Sequence, residues 1–188
     1  MSQLTEKALA KSLKNLMNTT PLSKITVNDI VNDCGVNRRT LYYHFHDIYE
    51  LLEWIFKTEV HDAIGENRTY KTWKKGFKQL LEYLKGNEKM VLNTYHSIGR
   101  EYLEFHLYNE VFNLVYGVIN ELSEDKNISE KGKKFITDFY KFAFVGLLLE
   151  WIKSNMKDPP EEIVENLDKI ISGDMKKDLL NFETKITN

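Results

Sequence analysis

Apolar residues recur along the chain at three- and four-residue steps, in long stretches interrupted by only nine glycines and three prolines. This period places apolar side chains on one face of an α-helix, and the alternation typical of β-strands is nearly absent. We therefore predict an all-α fold. The predicted helices cover about 4–18, 27–33, 38–45, 47–56, 70–85, 89–98, 101–122, 130–156 and a stretch that starts at 158–161, followed by a charged, frayed tail after Gly173.

Short local signals predict where the early helices begin and end. Thr26 is suited to cap a helix, and Asp29 three residues later completes a capping box. Gly35 supplies a turn in which a positive φ costs little, and Asn37 is a good N-cap for the next helix. The capping-box arrangement recurs at 47–50, where a fourth helix begins.

Two short helices around a glycine turn predict a helix-turn-helix. Its inward side chains are expected to be Ile30, Val31, Val36, Leu41 and Phe45. A helix fixed through such residues must expose its other faces, which carry Arg38, Arg39, Thr40, Tyr42, Tyr43 and His44. Seven residues make a rod about 10 Å long, which fits the DNA major groove of about 12 Å.

The distribution of charge supports a DNA-binding N-terminus. The net charge of −2 hides an uneven split between residues 1–46, which carry six basic and three acidic side chains, and residues 47–188, which carry 20 and 25. Those segments therefore have net charges of +3 and −5. Because phosphate contacts supply most non-specific affinity for DNA, we predict a DNA-binding domain at 1–46, called the head below, and a helical regulatory and dimerisation domain at 47–188.

The chemistry of each exposed side chain suggests its role. Arg38 and Arg39 can pair with guanine edges through two hydrogen bonds each. Phosphate contacts, which set register without reading sequence, are expected from Thr26, Thr40, Tyr42 and His44. Tyr43 suits either a phosphate or a thymine methyl group. For any single residue, an ordinary solvated position on a helix is the alternative.

These residues resemble the DNA-binding domain of the TetR (tetracycline-repressor-like) family of transcriptional regulators. The similarity covers residues 4–56, and its motifs are Ile-Thr-Val at 25–27, Gly-Val at 35–36 and Thr-Leu-Tyr-Tyr-His-Phe at 40–45. The resemblance implies a three-helix head, a helical C-terminal bundle that binds a ligand and dimerises, a homodimer and a palindromic operator.

Two positions depart from the family pattern. The family usually has a phosphate-binding lysine one turn into the fourth helix, where this chain has Ile48. Position 39 is often small in the family and is arginine here, so Arg39 is a candidate replacement contact. Segments 51–56, 144–152 and 160–163 are similar to a subgroup that includes regulators associated with dihydroxyacetone kinase genes.

The regulatory half carries a helix with two apolar stripes, which requires cover on two sides. One stripe is Phe135, Phe139, Phe142, Gly146 and Leu149; the other is Ile136, Tyr140, Ala143, Leu147 and Trp151. The last helix adds one apolar side, formed by Ile163, Val164, Leu167, Ile170 and Ile171. A symmetry-related copy would cover one of these faces. The alternative is that both helices are simply core.

Aromatic residues are frequent in the regulatory half and allow two interpretations. With His96 or His106 as a polar anchor they could line a small-molecule pocket, or they could simply form core. The set comprises Trp54, Phe56, Trp73, Phe77, Tyr95, Tyr102, Phe105, Phe112 and Tyr116. The identity of the effector and the residues that bind it stay open.

Several classes of protein are not expected. The five histidines lack metal-site spacing, and no nucleophile-elbow, P-loop or dinucleotide motif occurs. Cys34 is the only cysteine, which excludes an intramolecular disulfide. The N-terminus lacks the features of a secretory signal, and the longest apolar run, 142–149, is too short for a membrane span. We expect a cytoplasmic protein that is not an enzyme, with no metal, no cofactor and no membrane partner.

These features predict a transcriptional regulator, which we expect to be a repressor, that binds a palindromic operator on double-stranded DNA as a homodimer. A small molecule or a protein partner at the C-terminal domain would control release or engagement by shifting the population of DNA-competent states. The alternative is a helical protein-interaction module or co-regulator whose effector is another protein. Ile48 in place of the expected lysine keeps this alternative open.

Overall fold

A computed structural model describes residues 2–171 and 174–183, and within them it confirms the all-α class, with no strand. The helices are α1 Ser2–Met17, α2 Val27–Cys34, α3 Arg38–His44, α4 Ile48–Ile55, α5 His61–Ile64, α6 Trp73–Gly86, α7 Glu88–Tyr95, α8 Arg100–Leu122, α9 Glu130–Lys153, α10 Pro160–Ile171 and α11 Asp174–Asn181. A 3₁₀ turn at Leu22–Lys24 precedes α2, and a π-helical turn at Phe56–Val60 follows α4.

The predicted caps around the helix-turn-helix are present. The Thr26 hydroxyl accepts from the Asp29 N–H at 3.3 Å, and the Asp29 carboxylate accepts from the Thr26 N–H at 2.8 Å, which completes the capping box. Asn37 caps α3 by accepting from the Thr40 N–H at 2.9 Å. Gly35 ends α2 with a φ of 72°, the left-handed conformation predicted for it.

Two other predictions fail in detail. Asp47 caps α4 by accepting from the Glu50 N–H, but the Glu50 carboxylate accepts from the His46 N–H instead of closing the box on Asp47. The tail after Gly173 is not frayed over 174–181, which forms α11, and residues 184–188 lie outside the described part of the chain. Leu179 of α11 is buried, and the Tyr140 hydroxyl of α9 donates to Asp178 at 2.7 Å.

The chain forms two compact units. The first contains the described residues up to Val60 together with Asn87–His106, and the second contains His61–Gly86 and the chain from Leu107 onward. This division follows packing and differs from the functional boundary predicted at residue 46, which stays a prediction.

The first unit packs α1, α2, α3 and α4 around fully buried leucine and isoleucine side chains: Leu9, Leu13, Ile30, Leu41, Leu51 and Leu52. Asn93 of α7 fixes the chain after α1, since it donates to the carbonyls of Met17 and Thr20 and accepts from the Leu22 N–H, at 2.7–3.0 Å. This unit therefore includes residues well beyond the predicted head.

In the second unit, two helical glycines allow a close backbone approach. A Cβ at Gly76 would overlap the carbonyl oxygen of Asn67, and a Cβ at Gly117 would overlap that of Arg68. Arg68 donates to the buried Glu110 at 2.8 Å, and the Glu110 carboxylate lies 3.3 Å from His61.

The first predicted stripe of α9 lies on the exposed side of the helix, apart from the half-buried Leu149, whereas the second stripe is divided between core and surface. Phe135, Phe139, Phe142 and Gly146 are exposed, whereas Ile136, Tyr140 and Trp151 are buried. Ala143 and Leu147 of the second stripe are exposed, and the buried face is completed by Phe144, Val145 and Leu148. At about 100° per residue, Ala143 lies on the edge of the second stripe that borders the first, so it shares the exposure of the first stripe.

The aromatic residues proposed for a pocket fall in both units. Phe56 and Phe77 are fully buried, and His106 is 6% exposed, whereas Phe105 is exposed. Phe77 packs edge-on against Phe144 at 4.9 Å between ring centroids. No helix of the described residues is long and apolar enough to cross a membrane.

Candidate nucleic-acid interface

Helix α3 is held against the first unit by its apolar side. Leu41 is fully buried, and the Phe45 that follows the helix packs edge-on against Trp54 at 6.1 Å. Helix α2, which precedes the turn, is tied to α1 by the buried hydrogen bond from the Ser12 hydroxyl to the Ile30 carbonyl at 2.9 Å. The opposite side of α3 therefore faces away from this core in a fixed orientation.

The outward face of α3 presents the side chains predicted to read DNA. Arg38 and Arg39 are exposed, and Tyr42 and Tyr43 are 48% and 83% exposed. The Arg38 guanidinium donates to the Tyr42 hydroxyl at 3.3 Å and lies 5.8 Å from its ring centroid. Arg38 and Tyr42, one helical turn apart, are thus oriented together before any DNA is bound.

The two threonine hydroxyls already have local partners. Thr26 donates to the Asp29 carboxylate at 2.7 Å, and Thr40 donates to the Asn37 side-chain oxygen at 3.1 Å. The hydrogen bonds from the Thr26 hydroxyl and then its backbone N–H hold the pKa of the Asp29 carboxyl below its usual value. A phosphate contact by either hydroxyl would have to exchange or share these bonds.

His44 does not lie on the exposed face, and the expectation that it would is wrong. Its side chain is only 7% exposed, and its Nδ1 lies 3.3 Å from the Glu6 carboxylate of α1. Position 44 follows Leu41 by three residues, which brings it round toward the same packed side of the helix. No signal in the sequence links Glu6 to a residue 38 positions away.

The departures from the family pattern have a structural meaning. Ile48 is the first residue of α4 and not one turn into it, and its half-buried side chain offers no group to a phosphate, whereas Arg39 is exposed. Cys34 is half-buried, and burial followed by the nearby Asp33 charge raises the pKa of its thiol. Among the described residues, no group of three histidine, cysteine or acidic side chains is placed to hold a metal ion.

Both halves of the chain match known protein families. Residues 11–55 match the family described as bacterial regulatory proteins, tetR family, and residues 71–173 match the family described as transcriptional regulator C-terminal region. The HTH-type dhaKLM operon transcriptional activator DhaS of Lactococcus lactis subsp. lactis (strain IL1403) is 31% identical over 153 residues, which are 80% of this chain and 81% of DhaS.

Solved structures share the fold of this chain. The structure of a dihydroxyacetone kinase operon activator DhaS has a TM-score of 0.76 and 26% identity, and the match covers 96% of this chain and 98% of that one. Native NalD, the secondary repressor of the MexAB-OprM multidrug efflux pump in Pseudomonas aeruginosa, shares the fold with a TM-score of 0.60 at 12% identity, over 91% and 96% of the two chains.

These matches confirm the similarity to regulators associated with dihydroxyacetone kinase genes and identify the chain as a DNA-binding regulator, not an enzyme. The chain belongs to the TetR family of bacterial transcriptional regulators.

Proposed function

We propose that this protein binds a palindromic operator as a homodimer and reads it with the outward face of α3. The observation that carries the proposal is the composition of that face. Arg38, Arg39, Tyr42 and Tyr43 point away from a core that fixes the helix through Leu41, and α3 contains no carboxylate. Such a surface is suited to a polyanion with base edges accessible in its major groove.

The proposed contacts divide by chemistry. Arg38 and Arg39 read guanine edges, each with about 1–3 kcal/mol of discrimination. Tyr42, Thr26 and Thr40 bind phosphates and set the register, and Tyr43 binds a phosphate or a thymine methyl group. The head at 1–46 is the DNA-binding domain, and residues 47–188 form the regulatory domain. A protein that acts on bacterial DNA works in the cytoplasm.

The second unit offers a face for the partner copy. Phe135, Phe139 and Leu147 of α9 and Ile170 of α10 are between 49% and 66% exposed, and a Cβ at Gly146 would meet nothing within 4 Å. A groove of about 370 Å³ lies between α9 and α10, lined by Leu147, Trp151, Ile163, Leu167 and Ile170 among others. Exposed apolar side chains on two neighbouring helices suit an interface, and a two-fold dimer would present two heads to half-sites about 34 Å, or a multiple, apart.

The direction of regulation has two candidates. Repression is our prediction from the family resemblance, whereas DhaS, the 31% identical relative, is named an activator. In either case a small molecule or a protein partner at the regulatory domain would shift the population of DNA-competent states. The half-buried Ile48, whose side chain cannot replace the usual lysine contact, keeps open the alternative of a co-regulator governed by another protein.

A mobility-shift titration tests the proposal. Purified protein is titrated onto the intergenic DNA upstream of its own gene at several salt concentrations, with a scrambled duplex of equal length as control. A dimer with six or more phosphate contacts should lose about 10³-fold in affinity between 50 and 200 mM salt. Absence of a shift on any palindromic intergenic fragment at low salt would contradict it. A reporter fused to the bound promoter then separates repression from activation.

A further inference from the structure

We propose that His44, although it belongs to the recognition helix, is a positioning residue that holds α3 against α1 through Glu6 and does not bind a phosphate. The inference rests on the proposed function, because it concerns how the DNA-reading helix is aimed. It assigns a role in DNA binding to Glu6, an acidic residue of the head that charge alone would count as unfavourable for DNA.

The imidazole of His44 is enclosed by neighbouring side chains. Its side chain is 7% exposed, in contrast with 83% for the adjacent Tyr43. The Tyr43 ring lies edge-on to it at 5.0 Å, and the Phe45 ring lies at 6.2 Å. With Glu6 at 3.3 Å on Nδ1, the ring is enclosed on several sides and presents little surface to an external ligand.

The negative charge of Glu6 opposes the binding of a phosphate to His44. Its side chain is 20% exposed, so its carboxylate is partly shielded from water. A phosphate that accepted a hydrogen bond from Nδ1 would have to displace this carboxylate or lie beside it, and like charges at such distances repel strongly in a partly dehydrated site. The existing pair therefore competes with DNA for His44.

The length of α3 explains why such a pair matters. The helix has seven residues, of which Leu41 is the buried anchor, and Asn37 caps its first turn. His44 is its last residue, so the contact with Glu6 fixes the end opposite the cap. Loss of the contact would let this end turn and would misalign Tyr42 and Tyr43, whose side chains leave the same turn of the helix.

A comparison of acidic variants tests the proposal, because the two roles of His44 predict opposite signs. We measure the dissociation constant for a palindromic duplex by fluorescence anisotropy for the full chain and for Glu6→Ala, with Asp33→Ala as the matched control on the exposed surface of α2. Positioning predicts about tenfold weaker binding for Glu6→Ala, the scale of one hydrogen bond to a charged group. The control should bind as the wild type or slightly better.

Two further variants keep the result independent of folding defects. Glu6→Gln removes the charge but keeps an acceptor, and should retain more affinity than Glu6→Ala. The double variant Glu6→Ala/His44→Ala should bind no more weakly than the weaker single variant, because both remove the same contact.

Each other outcome contradicts the proposal. If Glu6→Ala binds as well as or better than the wild type, or if the two single losses multiply, His44 acts independently of Glu6. In either case the proposed function still stands if the wild type binds the duplex and Arg38→Ala loses discrimination at particular base pairs. If the wild type itself fails to bind any palindromic duplex, both proposals fall.

Discussion

Substitution of Gly76 by alanine should destabilise the protein, although alanine is the better helix former. Gly76 lies inside α6, and an added Cβ would meet the Asn67 carbonyl oxygen within 3.0 Å, closer than real Cβ atoms come, and Leu114 Cδ1 at 3.1 Å. The carbonyl belongs to backbone that cannot rotate away, and Asn67 is further fixed by its side-chain bond to Gln79 at 2.8 Å. Ordinary contact begins at 3.4 Å, so the two segments must separate.

The magnitude follows from two opposing terms. Overpacking typically costs about 1–3 kcal/mol, and a backbone clash belongs at the upper end. Replacing glycine within a helix returns about 1 kcal/mol. The net loss is therefore about 2 kcal/mol, which lowers the Tm of a chain of this size by about 4–8 °C.

Gly86, at the end of the same helix, provides the matched control. A Cβ there would meet nothing within 4 Å, and no positive φ is found at this position. Gly86→Ala should therefore leave the Tm unchanged or raise it by about 2–4 °C. Thermal unfolding followed by circular dichroism measures both variants. A Tm of Gly76→Ala equal to or above that of Gly86→Ala would refute the close approach of Asn67 to α6.

Three further predictions concern other parts of the chain. Asn93→Ala removes three hydrogen bonds and should cost about 2–3 kcal/mol, visible as faster hydrogen exchange of the Leu22 amide. The hydrogen bonds from Thr26 lower the pKa of Asp29, so the ionised carboxylate stabilises the fold at neutral pH and this stabilisation is lost as pH falls below about 4. Asp29→Asn should therefore flatten the acid limb of a curve of unfolding free energy against pH. An unchanged acid limb would count against the cap. Leu147→Glu should shift the protein from dimer to monomer in sedimentation velocity, and an unaltered dimer would place the interface elsewhere.

The elements that the sequence predicts well are those specified by neighbouring residues. Thr26 and Asp29 lie three positions apart, Asn37 caps the turn that follows it, and Gly35 needs no distant partner to adopt a positive φ. Such signals act within one helical turn, so the helix-turn-helix and four exposed side chains of its recognition helix can be read directly from the chain.

Features that depend on distant partners were not predictable. The His44 side chain is largely shielded from solvent beside Glu6, which α1 brings to it across 38 positions. The segment beyond Gly173 becomes helical where Asp178 accepts a bond from Tyr140 and Leu179 is buried. The π-helical turn at Phe56–Val60 contains no glycine or proline that would predict a break after α4. In the first two cases the determining contact is tertiary.

A base-by-base affinity profile of the operator measures whether α3 reads DNA sequence. Every position of a half-site is substituted in turn, and the dissociation constant is measured for the wild type, Arg38→Ala, Arg39→Ala and Tyr42→Phe. We predict that each arginine variant loses about 1–3 kcal/mol of discrimination at particular base pairs, whereas Tyr42→Phe binds all sequences more weakly and to a similar extent. Arginine variants that weaken binding equally on every sequence would contradict sequence reading by α3.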